Sequence, residues 1–171
     1  MADADHGLRR LAPAARFILQ GERPTREAAG RAFGLALPEE ACRANSDGER
    51  AALWLGPDEQ LLLAPVGEAG RVQADLAAAL QGLGHSLVEV SQRQAALAVT
   101  GPLARDLIAS GCPLDLDPES FPVGMCARTL FAKAEVVLWR RSVEEYHLEV
   151  ARSFADYVLD WMREVNRSDY P

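Results

Sequence analysis

Apolar residues fall into short runs of strand length and four stretches of helix period along this chain. Ala15 to Gln20, around Phe17-Ile18-Leu19, reads as a strand. Pro24-Thr25 opens a helix that runs to Phe33, with Gly34 placed to end it. Gly30 inside that helix costs about 1 kcal/mol relative to alanine. Residues 38–50 are polar and read as a loop, with Asp47-Gly48 as its turn. Ala51 to Leu55 and Gln60 to Ala64 are two apolar runs separated by Gly56-Pro57-Asp58-Glu59, the pattern of a hairpin. Arg71 to Gln81 is helical, with Val72, Leu76, Leu80 and Leu83 at helix spacing and Gly82 and Gly84 closing the run. His85 to Val90 is the next strand.

A second unit opens with the strand Ala95 to Thr100. Gly101-Pro102 then starts a helix whose apolar face is Leu103, Leu107 and Ile108, with Gly111 as its stop. A proline-rich loop runs from Cys112 to Gly124. Three strands follow, Cys126–Phe131, Glu135–Trp139 and Tyr146–Val150. The last helix begins with Ser153 as its expected N-cap and Asp156 near its positive end. Phe154, Tyr157, Val158, Trp161, Met162 and Val165 form its expected apolar stripe. Asp156, Asp160, Arg163, Glu164 and Arg167 lie toward solvent.

The element order mixes hairpins with helices, which predicts an α+β fold with antiparallel sheets rather than a doubly wound parallel sheet. The first six elements follow the split βαβ, ferredoxin-like order. The expected organisation is a flexible lead-in over 1–14, a first α+β unit over 15–92 and a second over 93–171, forming one compact domain. A Gly-Pro step occurs in both halves, at Gly56-Pro57 and Gly101-Pro102. It is compatible with an internal duplication, and independent turn chemistry explains it equally well.

Composition narrows the classes. The 171 residues are 49% apolar and 25% charged, as in ordinary soluble globular proteins. The net charge of -7, from 25 acidic and 18 basic residues, points away from nucleic acid. No apolar run approaches the ~18 residues of a membrane span. The charged N-terminus lacks the apolar segment of a secretory signal. Cys42, Cys112 and Cys126 are odd in number and make no CxxC pair, so they read as free thiols of a cytoplasmic protein.

Candidate chemistry is sparse. Gly82-Leu83-Gly84 follows a helix, whereas a dinucleotide fingerprint follows a strand, so it reads as a helix stop. Asp115 and Asp117 precede Pro118 and read as turn formers. His6, His85 and His147 show no local partner that would make a general base or a metal ligand. No catalytic, cofactor-binding or metal residue is assigned. Trp161 belongs to the helix stripe. Trp54, Trp139, Arg140 and Arg141 are the candidate interface residues, because tryptophan and arginine dominate binding hot spots. Trp139 reads equally well as a core residue.

Several runs resemble the gamma subunit of heterotetrameric sarcosine oxidase. They are Trp54-Leu55-Gly56-Pro57-Asp58-Glu59 followed by Leu61-Leu62-Leu63, Leu97 to Ala109 with its Gly-Pro-x-Ala-Arg core, and Gly111-Cys112-Pro113-Leu114-Asp115-Leu116. Phe121-Pro122-x-Gly124, Leu138-Trp139-Arg140 and Arg152-Ser153-Phe154-Ala155 complete the set. Gln60 departs from it, standing where the family pattern would place a tryptophan. The resemblance implies a fold similar to the folate-binding domain of glycine-cleavage aminomethyltransferases. It implies a non-catalytic subunit of an enzyme that oxidatively demethylates sarcosine to glycine, with tetrahydrofolate or free formaldehyde taking the one-carbon unit and hydrogen peroxide formed. It also implies alpha, beta and delta partner subunits, with FAD, FMN and NAD on alpha and beta and zinc on delta. Two other classes remain open on the sequence: the same subunit of a complex acting on another N-methylated amino acid, and a stand-alone folate-binding protein.

Overall fold

The computed structural model describes residues 7–169 and contains two compact units. One is Pro13–Ser91. The other joins the residues up to Ala12 with those from Gln92 onward. Each is built on a five-stranded antiparallel sheet.

The first unit runs β2 (Ala14–Gly21), α1 (Arg23–Phe33), β3 (Ala44–Ser46), β4 (Ala51–Gly56), β5 (Glu59–Pro65), α2 (Ala69–Ala79) and β6 (His85–Glu89). Its sheet order is β3-β4-β5-β2-β6. Alternation in β2 sends Ala15, Phe17 and Leu19 to one face, where they meet Ala29 and Phe33 of α1 and Val72 and Leu76 of α2. Burying Phe17, Leu19, Phe33, Val72 and Leu76 stabilises the fold by roughly 1.5–3 kcal/mol each. Gly34 ends α1 in the left-handed region at φ 77°, and its N–H bonds to the Gly30 carbonyl.

The other unit begins with β1 (Arg9–Arg10). It continues with β7 (Gln94–Thr100), α3 (Ala104–Ala109), β8 (Cys126–Phe131), β9 (Ala134–Ser142), β10 (Glu145–Ala151) and α4 (Arg152–Asp169). Its sheet order is β1-β7-β10-β9-β8. Leu97 and Val99 of β7, Leu138 of β9 and Leu148 of β10 pack with α3 and α4. Gly111 must be a glycine here, since a Cβ would lie 2.8 Å from the Phe131 ring.

The two sheets have the same topology. Writing β7, β8, β9 and β10 for β2, β3, β4 and β5 turns one strand order into the other, with β1 in the place of β6. The duplication is therefore real in connectivity, but the fifth, edge strand of the C-terminal unit's sheet comes from residues that precede the first unit. The Gly-Pro steps do not mark it. Gly56-Pro57 lies at a hairpin turn and Gly101-Pro102 between a strand and a helix, positions that do not correspond.

Four expectations need correction. The lead-in expected to be flexible over 1–14 contains strand β1, with Arg9 opposite Ala98 and Arg10 opposite Leu97. The loop expected over 38–50 contains β3, paired with β4. Helix α4 begins at Arg152, so Ser153 lies within its first turn rather than at its cap. The buried face of α4 is Ala155, Val158, Leu159 and Met162. Phe154 and Tyr157 are 45% and 37% exposed and form an edge-to-face pair with centroids 6.4 Å apart. Small Ala155 lets the helix approach the sheet on that side, so the contact is centred one residue beyond the bulky stripe. Trp161 sits at its border, edge-on to Phe131 at 5.2 Å.

Gln60 is fully buried in β5, opposite Leu19 and Trp54, and neither end of its amide has a hydrogen-bond partner among the described residues. A buried amide in that state costs about 1–3 kcal/mol. The near-isosteric Gln60→Met is therefore expected to raise the urea midpoint, with a gain of about 1–2 kcal/mol. An unchanged or lower midpoint would show that the amide is satisfied.

Candidate functional site

The polar interior of the C-terminal unit is concentrated on β9 and β10. Consecutive strand residues point to opposite faces, so Trp139 and Arg140 part company at once. Trp139 lies opposite His147 on β10 and Cys126 on β8. Its ring is tilted 53° to the imidazole at 5.6 Å. Glu149 follows His147 by two residues on the same face, and its Oε1 is 2.7 Å from His147 Nε2. Both side chains are buried. Such a pair offsets the cost of burial only while both members are present.

Arg140 is on the opposite face, beside Tyr146. Its guanidinium lies 5.6 Å from the Tyr146 ring centroid, within the range of a cation–π contact. Nη1 donates to the Phe121 carbonyl at 2.8 Å and Nη2 to the Val143 carbonyl at 3.3 Å. Its backbone N–H bonds to Met125 and its carbonyl accepts from Gly124. The residue thus fastens the end of the 112–124 loop to the β9–β10 hairpin. Burial pushes the Tyr146 phenol above its ordinary value. The positive charges of Arg140 and Arg105 draw it back by less.

Of the four residues expected at an interface, Trp139 and Arg140 have their side chains inside the chain, 6% and 3% exposed. Arg141 stays at the surface. It lies over the Trp139 ring at 5.1 Å and pairs with Glu145 at 3.1 Å. Trp54 is half-buried in β4 of the other unit. The structure therefore brings Trp139 and Arg141 together and places Arg140 on the other face of their strand.

The remaining candidates resolve locally. Asp115 and Asp117 accept from the backbone N–H groups of Asp117 and Glu119, each at 3.0 Å. Ser120 Oγ donates to Asp115, which holds that carboxyl below the usual aspartate range. His85 is exposed, with Nδ1 2.8 Å from the Leu83 carbonyl, and His6 lies outside the described residues. Cys112 and Cys126 are buried, Cys42 is half-buried, and none of the three forms a disulfide. Among the described residues no group of three His, Cys, Asp or Glu side chains could hold a metal ion. No described helix is long and apolar enough to cross a membrane. The His147–Glu149 pair escaped the sequence reading, although its i, i+2 spacing in a strand places both side chains on one face.

Glu149→Ala leaves His147 buried without its carboxylate and should cost about 3 kcal/mol in equilibrium urea unfolding; a loss under 1 kcal/mol would mean the pair contributes little to folding. Tyr146 generates an alkaline prediction. Because the folded phenol holds its proton more tightly, its contribution is complete below the ordinary value of 10.0 and is lost as pH rises above it. Tyr146→Phe should keep neutral-pH stability within about 1 kcal/mol and move the alkaline unfolding limb to higher pH. An unmoved limb would assign alkaline unfolding to other groups.

Comparison with known proteins places this architecture. The sarcosine oxidase gamma subunit subunit of Corynebacterium sp. (strain P-1) is 33% identical over 132 residues, which is 77% of this chain and 64% of that protein. The chain thus aligns with somewhat less than two thirds of that relative's length. A chain in the heterotetrameric sarcosine oxidase structure from Corynebacterium sp. U-96 superposes with a TM-score of 0.86 at 29% identity, over 92% of this chain and 81% of that one. The glycine cleavage system aminomethyltransferase T of Bartonella henselae shares the fold, with a TM-score of 0.71 at 14% identity over 91% of this chain and 45% of that one. The family model described as "Sarcosine oxidase, gamma subunit family" matches residues 22–168, and the chain belongs to that family.

Proposed function

We propose that this chain is the gamma subunit of a heterotetrameric sarcosine oxidase and serves it as a folded support without a reaction centre of its own. The observation that carries this reading is the superposition, over nearly the whole chain, on a chain of such an enzyme. The internal chemistry supports it. Arg140 is engaged by two backbone carbonyls, His147 by Glu149, and the Asp115–Asp117 turn by its own backbone. These polar groups do structural work where a catalytic site would leave them facing a substrate.

In this reading the partner subunits are alpha, beta and delta. They carry FAD, FMN and NAD, with zinc on delta. The assembly converts sarcosine to glycine, delivers the one-carbon unit to tetrahydrofolate or releases it as formaldehyde, and forms hydrogen peroxide. A cytoplasmic location accompanies it.

The test is affinity purification of the tagged full chain from its native cell. The expected result is a complex with three further chains, flavin absorbance, and peroxide production on sarcosine that exceeds that on other N-methylated amino acids. A colourless monomer would overturn the assembly. A flavin-bearing complex that prefers another N-methylated amino acid would keep the assembly and overturn the substrate.

A further inference from the structure

The first unit contains a cavity of about 380 Å³ between α1 and the segment 34–39 that folds back over it. This volume lies within the range of about 300–1,000 Å³ typical of small-molecule sites. On α1, Arg23, Glu27, Gly30 and Arg31 follow at intervals of four, three and one residues, so one side of the helix carries them all. Gly30, Leu35 and Leu37 supply the apolar wall.

The returning segment of the cavity wall is fixed by one backbone and one side-chain hydrogen bond. The Leu35 N–H bonds to the Gly30 carbonyl at 3.2 Å. Asn45 Nδ2 bonds to the Ala36 carbonyl at 2.7 Å. A Cβ on Gly30 would come within 3.3 Å of the Leu35 carbonyl oxygen, so glycine permits this close return of the chain. A wall fixed in this way loses little freedom when a ligand enters.

The charges are unequally committed. Arg23 is paired with Glu27 at 2.9 Å and faces Glu39 at 3.7 Å. Arg26 donates Nη1 to the Gly21 carbonyl at 3.0 Å. Neither Arg26 nor Arg31 has a carboxylate partner among the described residues. The lining therefore holds three guanidinium groups against two carboxylates, in a chain whose net charge is -7. A local excess of positive charge beside an apolar wall selects an anion with an apolar body.

We propose that this cavity binds a small organic carboxylate, with its charged end held by Arg26 and Arg31 and its apolar body against Gly30, Leu35 and Leu37. The site lies in one unit and depends on no partner subunit, so it stands or falls separately from the proposed function.

The probe pair is 2-naphthoate and its neutral counterpart 2-naphthamide, titrated into the full chain by calorimetry and by amide shift mapping. The naphthoate is expected to bind at least ~10-fold more tightly than the amide, a difference of about 1.4 kcal/mol. The shifts should be confined to α1 and residues 34–39. Arg31→Gln alters an exposed side chain and should weaken naphthoate about tenfold while leaving the amide unchanged. Glu39→Gln should have the opposite sign, tightening naphthoate by relieving Arg23. Equal affinity for the two probes, shifts elsewhere, an unaffected Arg31→Gln variant, or a weakened Glu39→Gln variant would each overturn the assignment.

Discussion

The open edge of β7 is the constraint on which the C-terminal unit depends. This strand reads Gln-Ala-Ala-Leu-Ala-Val-Thr, and its five central residues are buried. One side of it pairs with β10 along its whole length. Its other side presents backbone N–H and C=O groups that would be costly to bury without partners. The segment around β1 satisfies them. Arg9 and Arg10 pair with Ala98 and Leu97, the Leu11 N–H bonds to the Ala96 carbonyl, and Thr100 Oγ1 bonds to the Gly7 carbonyl. Leu8 enters the core, and Arg10 reaches Asp156 on α4. A short stretch with two charged residues therefore completes a sheet through its backbone while its arginines remain in water.

Most interior polar groups of the described residues find partners, while the Gln60 amide, Trp139 Nε1, Arg140 Nε and the Tyr146 hydroxyl do not. Arg140 has backbone carbonyls and an aromatic face, and His147 has Glu149. Each arrangement compensates in part for lost hydration. Gln60 is the clearest of the unpartnered groups, since both ends of its amide are left without partners. A tryptophan there would bring a large apolar surface and a single donor. The glutamine brings an amide whose donors and acceptor all need partners.

The sequence was legible wherever side-chain pattern and backbone structure agree. The β4–β5 hairpin, α1 with its glycine stop and the three strands from Cys126 to Ala151 all carry apolar runs bounded by turn residues. The segments β1 and β3 were not legible because Arg9-Arg10 and Ala44-Asn45-Ser46 have no apolar alternation; they are strands only through pairing with residues distant in sequence or across a turn. In α4 the helix was plain but its orientation was not, since bulky Phe154 and Tyr157 outweigh small Ala155 in any reading by hydrophobicity. The candidate site was partly legible. Trp139 and Arg140 stood out by type; the structure places both side chains in the interior, on opposite faces of β9, which for Trp139 is the core alternative of the sequence reading.

The origin of β1 has a consequence for biosynthesis. A ribosome delivers this edge strand before its acceptor β7, with the whole of the Pro13–Ser91 unit made in between. The first unit has every strand it needs in one continuous stretch and is free to collapse as soon as it emerges. The other must pair its β7 with a piece made earlier, closing a loop that contains the whole Pro13–Ser91 segment. Maturation of the C-terminal half is thus tied to the whereabouts of a handful of residues at the opposite terminus.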